Sequence, residues 1–367
     1  MQKLIHILAI LEWEVWLKQT IFVQACDFTV ADDFPFDEAY VKELTDGEVT
    51  ALNETIASAD ANFDVIFKRA YQLHRKCETL GVVIATTASD IERAERERKL
   101  AMIFGLQHLP FATTVYPDDL RFVDMLYEQG VRIAQLTYQR RSLLADGCGE
   151  RTDSGLSKFG IQVVEKMNRL GMIIDLSHVG PKSTMEAIEI SKDPVVFTHA
   201  NCRSVCNHVR NKSDEQIKAL AEKNGVIGIC AFTPILNLQR HGTMSDFLDH
   251  MAHAISLVGI DHVGIGLDAA NPSPVWKHPD IDVQRRAWRA RQVRIEANSP
   301  EIAVRLCPWG SFVPGKGSPY LVEKFEVALK WKTNIIEGMV SRGYSSSEIE
   351  KVLGANFMRV FRRVWKA

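Results

Sequence analysis

Two histidines and an aspartate stand at the ends of short apolar runs. His178 closes Met172–His178 in the tetrad Asp175-Leu176-Ser177-His178, His199 follows Thr198 in Val195–Ala200, and Asp268 closes His262–Asp268. Neutral imidazoles and a carboxylate converging on one point suit zinc. Either histidine alone would as readily be a core residue bonded to backbone. The shared placement at strand ends is what makes the three a metal-site candidate. Other runs end in Cys26-Asp27-Phe28, Gln107-His108 and Thr137-Tyr138. His250 and His253, spaced i, i+3 on a helical segment, are expected on a solvated face, because nothing else converges on them.

These ends need a scaffold that brings them together. Eight apolar runs rich in Val, Ile and Phe recur: Ile21–Phe28, Val49–Ile56, Lys99–Gln107, Arg132–Tyr138, Met172–His178, Val195–Ala200, Gly225–Cys230 and His262–Asp268. Most are almost continuously apolar, as strands buried on both faces of a parallel sheet are. Helical periodicity separates them, as in Phe63–Leu80 (Phe63, Ile66, Phe67, Ala70, Leu73, Cys77) and Leu156–Leu170 (Ile161, Val164, Met167, Leu170). Gly47, Gly130, Gly171 and Gly259 precede strands at positions where a left-handed residue ends a helix. The pattern predicts an α/β fold, a (β/α)8 TIM-like barrel spanning 1–367 as one domain, whose chemistry sits where the strands end. An N-terminal extension at 1–20 and a proline-rich loop at 271–319, with a basic helix-like insert at Gln284–Ile295, are expected to interrupt it.

Composition narrows the function classes. With 44 Lys+Arg against 46 Asp+Glu in 367 residues, the formal charge is −2, which argues against a nucleic-acid binder. Hydrophobic residues at 46% and charged residues at 25% match an ordinary folded domain. Seven irregularly spaced cysteines make no disulfide scaffold, so a reducing, cytoplasmic setting is expected. Leu4–Leu11 is cut off by Glu12 and Glu14, well short of the roughly 20 residues a membrane span needs, and no small-residue cleavage site follows before Gln19.

At "GMIIDLSHVG", "FTHANCRSVCNHVRNKSDEQI", "HVGIGLD" and "GANFMRV" the chain closely resembles the renal (membrane) dipeptidase family of zinc peptidases, from about Asp119 to the end and more loosely back to Val49. The resemblance implies a (β/α)8 barrel of the metallo-dependent hydrolase type, a homodimer, and two zinc ions bridged by a glutamate and a water. It places His178 and His199 on the two histidines of one zinc site and Arg210 on the arginine that grips the substrate carboxylate. Asp268 falls on the aspartate that handles protons at the bridging water. The chemistry agrees, since a guanidinium fork suits a carboxylate and an acidic group beside metal-bound water can take its proton.

The chain also departs from the family. "QACDF" puts Cys26 and Phe28 where a His-x-Asp pair holds the other zinc, Gln107 replaces the bridging glutamate, Tyr138 replaces a histidine, and Gly225–Arg240 lacks a family tyrosine. A neutral amide brings no charge to offset two dications, and Phe28 cannot ligate. One zinc is therefore expected and a second is not. "LTYQRRSLLADGCGERTDSGL" is similar to a bacterial subgroup of the family with Leu-Thr-Tyr at that point.

Three functions follow. The first is a one-zinc hydrolase of a small amide, a dipeptide or N-acyl amino acid carrying a carboxylate. His178 and His199 bind the metal, Asp268 is third ligand or general base, and Arg210 binds substrate. The second is changed chemistry in the same pocket (a lactonase, decarboxylase or lyase), with Tyr138 as acid or hydrogen-bond donor and Cys26 as ligand or nucleophile. The third is a non-catalytic barrel that binds a small ligand or partner. The survival of His178, His199, Arg210 and Asp268 together favours the first.

Overall fold

In a computed structural model, residues 20–31, 35–111, 119–269, 322, 325 and 328–366 are described. Nine strands run in chain order: β1 Val23–Asp27, β2 Ala51–Thr55, β3 Val83–Ile84, β4 Ala101–Leu106, β5 Val131–Gln135, β6 Ile173–Asp175, β7 Val196–Ala200, β8 Val226–Ile229 and β9 Val263–Ile265. All pairings are parallel, in the order β1-β2-β4-β5-β6-β7-β8-β9. The two ends of this path meet where Asp27 bridges Ala269 and the Phe28 N–H donates to the Ala269 carbonyl at 3.0 Å. The result is a nearly closed barrel of eight parallel strands. The ninth, β3, is a two-residue strand that pairs with β4 and was not among the eight expected; two residues are too short for a periodicity to register.

Helices return the chain between strands. They are α1 Glu38–Asp46, α2 Phe63–Leu80, α3 Ala88–Glu97, α4 Arg121–Glu128, α5 Lys158–Leu170, α6 Pro181–Ile190, α7 Asp214–Glu222, α8 Thr233–Leu236 and α9 Met244–Val258, followed by α10 Trp331–Ser341, α11 Ser346–Glu350 and α12 Asn356–Val364. Local chemistry sets their ends. Asn62 accepts the Val65 N–H at the start of α2, and Gly81 at φ +68° ends it. Reciprocal capping boxes open α3 (Thr87 with Asp90) and α7 (Ser213 with Gln216). The α2 stripe is buried as expected at Phe63, Ile66, Ala70, Leu73 and Cys77.

Gly47 corrects one expectation. It ends α1 at φ −80°, and the left-handed residue is the following Glu48 at φ +58°. Glycine is needed there for space, because a Cβ would lie 2.5 Å from the Ala328 carbonyl oxygen. His250 corrects another. It is fully buried in α9, with Nδ1 accepting the Cys202 N–H at 3.1 Å and Nε2 facing the Leu236 carbonyl at 3.1 Å. Backbone at Cys202 and at the end of α8 supplies partners that helix spacing could not reveal. His253 pairs with Asp214 at 2.9 Å.

The core has two parts. One lies between strands and helices. The other collects Val23, Ala51, Ala101, Ile173, Val196 and Val226, each the first residue of its strand, against Phe357, Phe361 and Trp365 at the chain's end. The barrel is thus filled and plugged at the end where strands begin. Residues 1–19 of the expected 1–20 extension, and the 271–319 loop with its Gln284–Ile295 insert, lie outside the described residues. Among the described residues no helix is long and apolar enough to cross a membrane.

Candidate active site

Strand ends bring the predicted residues to the opposite mouth. His178 and His199 are both buried, and their Nε2 atoms lie 2.9 Å apart. Tyr138 stacks on the His178 ring, centroids 4.0 Å apart at 28°. Cys26, His199 and Asp268 each offer a ligand atom, all within 4.8 Å of one another. The Cys26 thiol faces Asp268 Oδ1 at 3.6 Å, and Gln107 Nε2 donates to Cys26 Sγ at 3.4 Å and to Thr55 Oγ1 at 3.2 Å.

Asp268 reaches this point through an unusual backbone. It has φ +57°, a left-handed conformation that aspartate tolerates better than most residues. The strand before it must pass close to β7. A Cβ on Gly266 would collide with the Thr198 carbonyl, so glycine brings the strand within reach of His199.

A relay fixes which nitrogen of His199 is bare. The Thr198 hydroxyl donates to Asp175 Oδ2 at 2.6 Å, and His199 Nδ1 lies 2.7 Å from the same hydroxyl oxygen. A hydroxyl that has given its proton to a carboxylate can only accept, so Nδ1 carries the imidazole proton and Nε2 presents a lone pair. The hydrogen at His178 Nε2 then points at that lone pair. Asp175 also accepts from the Ser177 N–H and hydroxyl and from the Thr198 N–H, which locks β6 to β7 where the ladder holds a single register pair.

Arg210 and Lys212 clamp the loop that bears His178. Arg210 donates to the carbonyls of Ser177 and His199, and Lys212 Nζ donates to Leu176 at 2.7 Å and Val179 at 2.9 Å. The loop after β7 turns back to deliver both, with the Lys212 N–H donating to the Asn201 carbonyl and the Arg203 N–H to that of Lys212. Burial first, and the Arg210 charge next, push the Lys212 ammonium down to about 7. Burial and then Arg210 likewise hold both His178 and His199 well below the ordinary imidazole value, so they are neutral, the form that ligates. Burial and then the Asp268 charge push the Cys26 thiol well up.

The structure therefore assembles Cys26, Gln107, Tyr138, His178, His199 and Asp268 at one mouth, with Arg210 beneath the two histidines. Sequence reading missed Asp175, Thr198 and Lys212. All three lie inside the quoted motifs, but only geometry shows that they orient the histidines. A metal fits these residues. Two neutral imidazoles, one with its bare nitrogen fixed by a relay, and a carboxylate form a zinc-type donor set. The buried His178 Nδ1 has no hydrogen-bond partner among the described residues, so that ring can shift its proton to Nδ1 when Nε2 ligates.

Comparison with known proteins places these features. The family model for membrane dipeptidase (peptidase family M19) matches residues 36–277, about two-thirds of the chain. Dipeptidase tcpJ of Claviceps purpurea is 28% identical over 288 residues, covering 77% of this chain and 55% of that protein. An amidohydrolase of Pseudomonas aeruginosa superposes with a TM-score of 0.79 at 26% identity, covering 96% and 98% of the two chains. The probable dipeptidase PvdM of the same organism superposes with a TM-score of 0.74 at 19% identity, covering 96% and 97%. The chain spans about half the length of the curated relatives it matches.

Proposed function

The chain belongs to the membrane dipeptidase family, and from that premise we propose that it is a metal-dependent hydrolase of small amides that carry a carboxylate, with one zinc ion held by His178 and His199. A dipeptide and an N-acyl amino acid are the substrates this reading favours. The observation that carries it is that His199 lies beside both His178, Nε2 to Nε2 at 2.9 Å, and Asp268, within 4.8 Å, with its tautomer fixed by Thr198 and Asp175.

When bound by His178 and His199, the ion would supply Lewis acidity to polarise the scissile carbonyl and acidify water. The chain's residues do the rest. Asp268 takes a proton from the attacking water and returns it to the leaving amine. Asp175, through Thr198, keeps the proton of His199 on Nδ1. Tyr138 holds the plane of His178 by stacking and faces the substrate as a hydrogen-bond donor. Arg210 spends two N–H groups on carbonyls and keeps others of its five for the substrate carboxylate. Lys212 adds to the positive field that draws an anionic substrate to this mouth. We further propose a homodimer in a reducing, cytoplasmic setting.

A second reading keeps the mouth and changes the reaction to that of a lactonase, decarboxylase or lyase. It is favoured by Gln107, whose amide faces Cys26 where the family resemblance puts a glutamate. A substrate panel separates the two. Dipeptides and N-acyl amino acids should turn over, and Asp268→Asn should lower turnover by about 10²–10⁴-fold with fold and metal content retained. Turnover confined to lactones or carboxylates would favour the second reading. Full activity of Asp268→Asn would refute the proposed role of that residue.

A further inference from the structure

Cys26 sits at the centre of the mouth, yet none of the steps above uses it. Its side chain is 1% exposed, and its immediate polar neighbours are a carboxylate oxygen and an amide N–H. A thiol used only as a small apolar filler would be expected among apolar atoms. The register of β1 is irregular between Gln24 and Asp27. Within that interval Cys26 faces Asp268 and Gln107, while Asp27 faces away and accepts from Tyr40 of α1 at 2.9 Å.

We propose that Cys26 Sγ is a ligand of the metal, so that a single ion is held by sulfur from β1 and nitrogen from His199 and His178, three protein ligands that leave a position open beside Asp268. The proposal rests on the metal reading above and adds the ligand that sets the metal's identity and number. Three observations support it. The first is spacing. Bond lengths of roughly 2.0–2.3 Å around a tetrahedral zinc put neighbouring ligand atoms about 3.3–3.8 Å apart. Cys26 Sγ lies 3.6 Å from Asp268 Oδ1 and within 4.8 Å of a His199 nitrogen, while the 2.9 Å between the two histidine Nε2 atoms is a hydrogen-bond distance that joint ligation would open.

The second is charge. A dication here adds to Arg210 and Lys212, which already crowd the two imidazoles. The Asp268 carboxylate offsets one unit and a thiolate the second, so that the ion adds no net charge beside the Arg210 guanidinium. A thiol becomes a thiolate on coordination, releasing its proton to solvent as the metal–sulfur bond forms.

The third is Gln107. Its amide nitrogen, bound to Sγ and to Thr55, presents N–H groups to the sulfur. A thiolate ligand only accepts, so this is the orientation a sulfur ligand requires of its neighbour. The same N–H face cannot ligate a cation, which closes the place beside Cys26 to a second ion. A donor set of one sulfur and two nitrogens selects zinc, cobalt or cadmium over magnesium or manganese.

Cobalt(II) replacement of the metal in the full chain tests this by absorption. The protein should bind one cobalt, with visible ligand-field bands and a near-ultraviolet sulfur-to-cobalt charge-transfer band. Cys26→Ser should abolish the charge-transfer band and weaken cobalt affinity by at least about 100-fold, more than the 10–100-fold typical of an outer-shell change. Cys26→His keeps a ligand at the position and guards against misfolding of the serine variant. It should retain cobalt and its visible bands and lose only the sulfur band. Cobalt bound without the sulfur band, or a band that survives both substitutions, overturns the proposal and leaves the metal-hydrolase reading standing. A wild-type chain that binds no cobalt overturns both.

Discussion

The two ends of this barrel are built from the same strands and do opposite work. At one end Val23, Ala51, Ala101, Ile173, Val196 and Val226 begin their strands and pack against Phe357 and Phe361, and Trp365 stacks on Phe361 at 4.2 Å and 4°. At the other, the strands or the residues just past them supply Cys26, Gln107, His178, His199 and Asp268. There the polar groups face one another, one aspartate is left-handed, and a buried imidazole nitrogen lacks a partner among the described residues. The plugged end contributes stability through packing. The mouth gives up packing for donors aimed at one point, and its cost is carried by the plugged end.

That contrast can be broken by paired substitutions. Phe361→Ala should cost about 3–5 kcal/mol of stability by opening a cavity, while metal content per folded molecule stays constant. His178→Ala should do the reverse, removing the metal with little change in melting temperature of the metal-free protein. Thermal melts and elemental analysis on both variants check this. A joint loss of metal and stability in either variant would show that the two ends are not independent.

Acid should act on buried imidazoles outside the mouth as well. Burial holds His108 and His250 down to about 4 each. The unfolded chain takes up these protons near pH 6.5, whereas the folded chain resists until about 4. Stability is therefore fully present above 6.5 and is lost as pH falls through that window, by roughly 3 kcal/mol for each group at its lower edge. His108→Gln should flatten the fall of unfolding free energy between pH 6.5 and 4. An unchanged slope would remove His108 from the account.

The smallest expected effect concerns Lys212. Lys212→Met keeps length and loses both bonds to the carbonyls flanking Ser177-His178. Metal affinity should drop about 10–100-fold, as for other supports of a ligating histidine, and Lys212→Arg should recover part of it. Metal titration monitors both. Equal affinity in all three proteins would make Lys212 a charge without a positioning role.

Much of this was legible in the sequence. The apolar runs located eight strands, because strands buried on both faces leave a continuous signal, and the ends of those runs located His178, His199 and Asp268. What the sequence concealed depends on contacts across the fold. Cys26 was legible at the end of its run, but its contacts with Asp268 and Gln107, at a register irregularity in β1, were not. His250 looked solvent-facing on its helix and is buried because a distant loop covers it. Arg210 was legible as a cation in a motif, but its hold on the Ser177 and His199 carbonyls belongs to the returning loop after β7. Gly47 carried the right residue type for a left-handed cap, and crowding by Ala328 is the reason it is glycine.

The central claim is that one mouth holds one metal ion. Metal stoichiometry per folded chain tests it most directly, measured by elemental analysis together with native mass spectrometry on protein purified without added metal and again after exposure to excess zinc. The account predicts one tightly held ion in both preparations, or none rising to one after exposure. Two tightly held ions, or none after zinc is supplied, would contradict it.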